Sequence, residues 1–176
     1  QAAALTTDQI GVITTTALRS LNTNDTAALT TDQMVALNSS QIGVLTTAQI
    51  GALSTKQVAV IETGDLAALS TAAVRALTTA AVAALTTDQV VALTTDQVAA
   101  LKTHQVAALT TDQVVAMETR DVAALSTTQI QSITTNQIVA LTTDQISALT
   151  TRQVEALTTA QKSALTTDQV THLTLG

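Results

Sequence analysis

The sequence contains no cysteine, proline, phenylalanine, tyrosine or tryptophan. Without cysteine the chain cannot build a disulfide scaffold or a thiolate metal site. Without aromatic residues it has no bulky rings to fill an irregular globular core. Only 11% of the residues are charged and 46% are hydrophobic, so the composition is too apolar for a disordered tail.

Two further absences limit the partners of the chain. Uninterrupted apolar runs are only a few residues long, as in Val90 to Leu93, whereas a membrane-spanning helix needs about 18 or more. The formal net charge of −6 argues against binding to the phosphate backbone of a nucleic acid. No signal-peptide pattern opens the chain, which does not begin with Met. We expect no nucleic-acid binding and no membrane insertion, and we interpret the chain as an excised or processed piece.

The feature that dominates the sequence is a repeat of eight residues. From Leu5 it divides into 21 consecutive octads that end at His172, with four residues before them and four after. The consensus is Leu-Thr-Thr-Asp-Gln-Val-x-Ala, as in Leu85 to Ala92. Position 1 is Leu in 17 octads, position 3 is Thr in 20, and position 6 is aliphatic or Met in 19. The pattern predicts that positions 1, 6 and 8 are buried, that 4 and 7 face solvent, and that 2, 3 and 5 are structural polar positions.

A period of eight fits neither one straight helix nor one long strand. At about 100° per residue, the apolar stripe of a helix would drift by about 80° in every octad, and supercoiling cannot absorb that drift. Strict alternation fails because positions 6 to 8 are often apolar in succession. The chain must therefore turn once in every octad.

The fixed polar residues predict where each turn lies. Thr-x-x-Gln from position 2 to position 5 is a capping box: the cap hydroxyl accepts the N3 backbone N–H, and the Gln side chain accepts the cap N–H. Positions 1 and 6 then form a hydrophobic staple, and Asp at position 4 suits the helix dipole. Position 2 is Thr, Ser or Asn in 18 octads; the exceptions are Glu62, Lys102 and Glu118. Because position 3 is even more uniform, a cap at position 3 in some octads stays open.

Each octad is then a helix of about six residues, too short to be stable alone. We predict an all-α solenoid of about 21 such helices with three or four octads per turn, in which Gln and Thr form polar ladders. The alternative is a β-solenoid, because Thr, Val and Ile favour strands. The many Ala residues, the scarcity of Gly and the capping pattern favour helices.

We expect a single repeat array over residues 1–176, with octads from 5 to 172. A slower repeat of seven octads suggests the blocks 5–60, 61–116 and 117–172. The octads at Ile61 and Met117 both have Glu at position 2 and Asp at position 5, and seven octads separate them. Arg19 and Arg75 are separated by the same interval. Duplication of a seven-octad block, or a superhelix that returns to the same face after seven octads, would explain this spacing.

Two resemblances follow from the octad. The octad Leu85 to Ala92 resembles the short first helix of TAL-effector DNA-binding repeats, Leu-Thr-Pro-x-Gln-Val-Val-Ala, with Thr87 in place of the proline. The second helix and the base-reading loop of that family have no counterpart, so this resemblance implies a capped short helix and nothing about DNA. The tandem array resembles the Leu-Thr-Thr-x-Gln-Val-x-Ala tracts of large exported bacterial proteins of the adhesin type. That resemblance implies an extracellular or cell-surface location and a spacer or adhesive role, without catalytic residues.

No group of residues predicts a catalytic, cofactor or metal site. His104 and His172 have no second ligand at metal spacing. The recurring Asp at position 4 is explained by the helix dipole, and Ser and Thr occur without a nucleophile-elbow motif. Asp25 and Thr26 in the third octad and Lys162 in the twentieth interrupt the pattern near its ends. They are interpreted either as polar end caps or as local repeat decay.

These observations predict a structural protein and no enzyme. The first hypothesis is a rod-like spacer or stalk in a secreted or surface-exposed bacterial protein. The second is a protein- or carbohydrate-binding scaffold, favoured if positions 4 and 7 form an apolar or singly charged patch. The third is an ice- or surface-binding Thr array, which fails if backbone caps use the hydroxyls of positions 2 and 3. Open ends of the array predict contact with flanking repeats of a longer chain or self-association.

Overall fold

The computed structural model describes residues 4–173 and divides the chain into two compact units, Gln1–Leu93 and Thr94–Gly176. Every octad forms one short helix of four to six residues, and the described residues contain no strand. The all-α prediction is confirmed, and nothing supports the β-solenoid.

The helices keep the octad spacing throughout. In the first unit they are α1 Thr7–Gly11, α2 Thr15–Ser20, α3 Thr23–Ala27, α4 Thr31–Val35, α5 Ser39–Gly43, α6 Thr47–Ala52, α7 Thr55–Ala59, α8 Thr63–Ala67, α9 Thr71–Val74, α10 Thr79–Ala83 and α11 Thr87–Val91. In the second unit they are α12 Thr95–Ala100, α13 Thr103–Ala108, α14 Thr111–Ala116, α15 Thr119–Ala124, α16 Thr127–Ser132, α17 Thr135–Ala140, α18 Thr143–Ser147, α19 Thr151–Ala156, α20 Thr159–Ala164 and α21 Thr167–His172.

Each helix begins directly after position 2, which is the N-cap in every octad. Thr94 is a typical cap: its backbone is extended, at φ −71° and ψ 154°, and its side chain accepts a hydrogen bond from the backbone N–H of Gln97. This confirms the predicted cap at position 2. The alternative cap at position 3 is wrong, because position 3 is the first helical residue throughout.

The chain leaves each helix without a left-handed residue, and no residue from 4 to 173 has a positive φ. At the end of α12, Leu101 (φ −54°, ψ 140°) and Lys102 (φ −75°, ψ 155°) are successive residues near polyproline II geometry. The N–H of Leu101 donates to Val98 O, and the N–H of Lys102 donates to Gln105 Oε1. The turn therefore needs no glycine, and both of its N–H groups are used, which excludes proline from positions 1 and 2.

Within each unit, every helix packs against the third helix along the chain. In the first unit α1 packs on α4 and α2 on α5, and in the second α12 packs on α15 and α13 on α16. One turn therefore takes three octads, the lower of the two numbers expected. The turns lie close together: a Cβ added to Gly43 in α5 would lie 3.2 Å from the carbonyl oxygen of Ala68, which follows α8.

The core consists of positions 1 and 6, as predicted. Leu93 and Val98 are representative, at 2% and 1% exposed. Position 8 was expected to be buried as well, but it is mostly half-buried, because it lies at the end of the helix where the chain turns away. Position 5 joins the core instead: from Gln33 onward its Gln side chains are at most 3% exposed, whereas Gln9 is exposed.

Candidate functional site: the stacking surface

The Gln at position 5 first completes the capping box of its own octad. In α17, Gln137 Oε1 accepts the backbone N–H of Thr134 at 2.7 Å, and the backbone N–H of Gln137 donates to Thr134 Oγ1 at 3.2 Å. Two of the N–H groups that a helix start leaves without an intrahelical partner are satisfied in this way.

The same side chain then reaches the preceding turn. Gln137 Nε2 donates to Val106 O at 3.0 Å and to Leu109 O at 2.6 Å, which are 31 and 28 residues earlier in the sequence. The first carbonyl belongs to position 6 of the octad four back, and the second to position 1 of the octad three back. The start of one helix is thereby joined to the end of a helix one turn earlier.

This pair of bonds recurs along both units. Side chains that donate to both carbonyls are those of Gln41, Gln49, Gln57, Gln89, Gln129, Gln145, Gln153, Gln161 and Gln169. All of them are at most 3% exposed. A buried amide must satisfy its donors and its acceptor, and this geometry satisfies all of them. We call the carbonyl pairs, the Gln side chains and the apolar positions 1 and 6 the stacking surface.

The capping prediction did not include the burial of these Gln side chains, although the sequence carries a signal for it. A capping box accepts Glu as readily as Gln. Position 5 nevertheless contains 15 Gln, three Ala and three Asp, and never Glu. A carboxylate cannot donate to the two carbonyls, whereas an amide can, so the absence of Glu indicates the second role of this position.

Two of the three Asp residues at position 5 make the same alternative bond. Ser39 Oγ donates to Asp65 Oδ1 at 2.5 Å in the first unit, and Thr95 Oγ1 donates to Asp121 Oδ1 at 2.7 Å in the second. Among residues 4–173, Ser39 and Thr95 are the only position-3 residues whose hydroxyls make a hydrogen bond. The predicted ladder therefore forms through Gln and not through Thr.

The octads of Asp65 and Asp121 differ in their surface charge. In α15, Arg120 lies 2.6 Å from Glu118 and 3.9 Å from Asp121. The equivalent residue in α8 is Gly64, next to open space. The Arg120 side chain is 67% exposed, so this ion pair contributes little to stability.

The polar interruptions of the repeat have different roles. Thr26 is completely buried under α6, and its hydroxyl donates to Asn22 O at 3.0 Å, so the end-cap interpretation is wrong for Thr26. Asp25 donates its backbone N–H to Asn22 Oδ1 and accepts from Asn22 Nδ2. Lys162 is exposed, and its Nζ lies 3.4 Å from Glu155 O. Lys162 in α20 and Asp25 in α3 stand where an end cap would.

The outer surface is formed by positions 2, 3, 4 and 7. Hydroxyls at position 2 accept the backbone N–H of position 5, so the hypothesis of an ice-binding array is left with position 3 alone. Two exposed valines at position 7, Val115 and Val139, lie on helices that pack together, α14 and α17. They occupy the same octad position on stacked helices, as the residues of an apolar patch on a binding scaffold would.

The histidines and carboxylates of the described residues do not come together in a metal site. His104 is exposed, and His172 Nδ1 lies 2.8 Å from Asp168 O. No three His, Asp or Glu side chains within residues 4–173 come together as metal ligands. None of the described helices combines the length and the apolar character needed to cross a membrane.

Comparison with known proteins gives a family match over nearly the whole chain. The family model described as the ALTTAQ repeat matches residues 2–39, 34–60, 58–95, 91–117, 114–151 and 147–175. The matches that start at residues 2, 58 and 114 are spaced by seven octads, as the proposed blocks are. No curated protein matches the chain.

Proposed function

The chain belongs to the ALTTAQ repeat family, and on that premise we propose that it is a rod-like spacer or stalk in a secreted or surface-exposed bacterial protein. One observation carries this proposal: the residues that define the repeat are used in bonding one turn to the next. Positions 1 and 6 form the core, and each position-5 Gln joins two turns. Each turn thus presents the surface that the next one needs, which is how a repeat protein holds a fixed distance.

The spacer role is tested by changing surface and length independently in the protein that contains this segment. One variant replaces the exposed residues of positions 4 and 7 throughout and keeps the length. The other deletes three octads, which is one turn. If the array is a spacer, the whole protein keeps its activity when the surface is changed and loses it when one turn is deleted. Loss of that activity with the new surface alone would contradict the proposal.

The proposed location has a separate test. Antibodies against the array should label intact cells of the source bacterium without permeabilisation, and protease added outside the cells should remove the label. A label that is seen only after permeabilisation would place the array inside the cell and overturn this part of the proposal.

A binding scaffold is the second candidate, because Val115 and Val139 are exposed at the same position of stacked octads. The two side chains are 44% and 47% exposed on helices that pack together. Replacing both with Ser should leave the fold intact, since exposed positions tolerate polar residues. Loss of attachment to a protein or carbohydrate surface in this variant, at unchanged stability, would favour the scaffold over the spacer.

A further inference from the structure

Three consecutive octads in the interior of the first unit have no Gln at position 5. Their position-5 residues are Asp65, Ala73 and Ala81, in α8, α9 and α10, and these helices pack on α5, α6 and α7. Since one turn takes three octads, the missing amides belong to one complete turn. We call the contact of α5, α6 and α7 with α8, α9 and α10 the glutamine-free interface.

The interfaces on either side of it keep their amides. Gln57 donates to Thr26 O at 2.9 Å and to Leu29 O at 2.8 Å, and Gln89 makes the equivalent pair of bonds. In the second unit only Asp121 stands in place of a position-5 Gln, and the octads before and after it have one. Nowhere else in the sequence do three consecutive octads lack this Gln.

Backbone carbonyls at the glutamine-free interface have no donor. Leu37, Leu45 and Leu53 occupy position 1 of the octads on the near side, 28 residues before the three position-5 residues. Their carbonyl oxygens accept no hydrogen bond from residues 4–173, although the three residues are at most 5% exposed. A buried carbonyl without a donor lowers the stability of the structure that buries it.

The glutamine-free interface is held mainly by apolar contacts. Val74 and Val82, at position 6 of α9 and α10, are completely buried. In the remaining octad Ser39 Oγ donates to Asp65 Oδ1 at 2.5 Å across the interface. The turns are therefore in contact, but without the amide bonds that reinforce the other interfaces.

We propose that the glutamine-free interface is a yield point: of the contacts between turns within either unit, it opens first. Opening a turn that has its Gln side chains breaks two amide bonds for each Gln, and opening this one breaks none. Opening also gives water access to the carbonyls of Leu37, Leu45 and Leu53, which offsets part of the loss of apolar contact. Local opening of this kind occurs without unfolding of the rest of a protein.

In a spacer, a yield point decides where the protein gives way under load. A pull on the first unit acts on each of its interfaces, and the one with the lowest opening free energy separates first. The chain continues through the opened turn, so the two parts stay connected and can close again when the load ends. This consequence rests on the proposed function, whereas the opening itself does not.

Cysteine labelling measures the opening, because the chain has no cysteine of its own. Val74→Cys places a thiol at position 6 beside the glutamine-free interface. Val106→Cys places one at the same position of α13, where the carbonyl of the residue accepts Gln137 Nε2. Both valines are at most 2% exposed, so iodoacetamide reaches either thiol only after an opening. Under native conditions it should alkylate the thiol of Val74→Cys at least about tenfold faster.

Restoring the amides should close the interface. The restoring variant has Gln at position 5 of all three octads, by Asp65→Gln, Ala73→Gln and Ala81→Gln. Its matched control has Gln at the exposed position 4 of the same octads, by Gly64→Gln, Ala72→Gln and Ala80→Gln. The restoring variant should slow the labelling of Val74→Cys at least about tenfold, because the interface gains the bonds of three amides. It should leave the labelling of Val106→Cys unchanged, and the control should change neither rate.

A measurement on the unaltered chain does not depend on the folding of these variants. The backbone N–H groups of Leu45 and Leu109 each donate to the position-6 carbonyl three residues before them, at 3.2 Å. Leu45 lies at the glutamine-free interface, whereas Leu109 O accepts Gln137 Nε2. Hydrogen exchange measured by NMR should therefore be at least about tenfold faster for Leu45 than for Leu109.

Equal labelling of the two thiols, or equal exchange of the two N–H groups, would overturn the proposal, since the interface would then open no earlier than the others. Labelling that the position-4 control slows as much as the restored amides do would also overturn it. If the interface stays as closed as the rest while the length and surface variants behave as those of a spacer, the spacer role stands without a yield point.

Discussion

At the residue scale, the most informative side chain is the Gln at position 5. A capping box needs only an acceptor there, and the stacking surface adds two donors aimed at the turn before. Gln49 shows both parts: it accepts the N–H of Thr46 at 2.9 Å and donates to Leu18 O at 2.8 Å. One amide therefore serves the local structure and the packing of turns together.

Gln49→Met keeps the approximate length of the side chain and removes its hydrogen bonds. The carbonyl of Leu21 and the N–H of Thr46 lose the partner that Gln49 provides, and the carbonyl of Leu18 keeps only the backbone N–H of Leu21. We predict a loss of about 2–4 kcal/mol in the free energy of unfolding, measured by urea denaturation. The control is Thr47→Ala at an exposed position, which should change this free energy by about 0.5 kcal/mol or less. Equal effects of the two substitutions would contradict the role of the amide.

Ala73→Gln tests the same interaction by adding it. Ala73 occupies position 5, and the spacing that the other Gln side chains keep would bring an amide there to the carbonyls of Ile42 and Leu45. The substitution should raise the free energy of unfolding by about 0.5–1.5 kcal/mol, because it completes a capping box and two buried bonds. Ala72→Gln, at the exposed neighbouring position, is the matched control and should have almost no effect. Destabilisation by Ala73→Gln would show that these turns cannot accommodate the amide.

At the scale of the element, the octad is a helix start followed by a two-residue turn near polyproline II geometry. The Thr at position 2 is the cap, and the Thr at position 3 is the first helical residue. Position 3 is where a helix tolerates proline best, since its N–H has no intrahelical partner. The short helix of the TAL-effector repeats has its proline at this position. The absence of proline from this chain therefore follows from helix geometry at positions 1 and 2, but not at position 3.

Thr87→Pro tests this account of the octad. Thr87 is exposed, and Thr86 before it has φ −72° and ψ 161°, a conformation compatible with a following proline. We predict that the substitution stabilises the chain by about 0.4–1 kcal/mol in thermal unfolding, by restricting the unfolded state. Thr86→Pro is the contrasting variant: it removes the cap hydroxyl and the N–H that donates to Gln89 Oε1, and should be clearly destabilising. Similar destabilisation by both would mean that position 3 is not the first helical residue.

At the scale of the whole molecule, the sequence predicts the structure within each octad but does not predict the contacts between one turn and the next. Cap position, helix length and the burial of positions 1 and 6 follow from contacts within a single octad, as in the bond between Thr134 and Gln137. The number of octads per turn depends on contacts between one turn and the next, which no pattern inside an octad fixes. The second role of Gln137, toward Val106 and Leu109, becomes visible only once that number is known.

The interruptions of the repeat also depend on contacts between turns. Thr26 and Lys162 are both polar residues at position 6, and the sequence treats them alike. The packing of helices distinguishes their roles. The helix α6 packs on α3 and covers Thr26, whereas no described helix follows to cover Lys162. Position 8 depends on the turn in the same way: its small side chains predict burial in the core, but they allow close approach where the chain turns.

The most direct test of the account is hydrogen exchange of the Gln side-chain amides, measured by NMR. The chain contains its own controls, because Gln9 and Gln131 are exposed, while Gln49, Gln137 and Gln153 are at most 2% exposed and bonded to the preceding turn. We predict that the Nε2 protons of the buried residues exchange far more slowly than those of Gln9 and Gln131. Exchange at the same rate for all five would contradict the claim that Gln amides join one turn to the next.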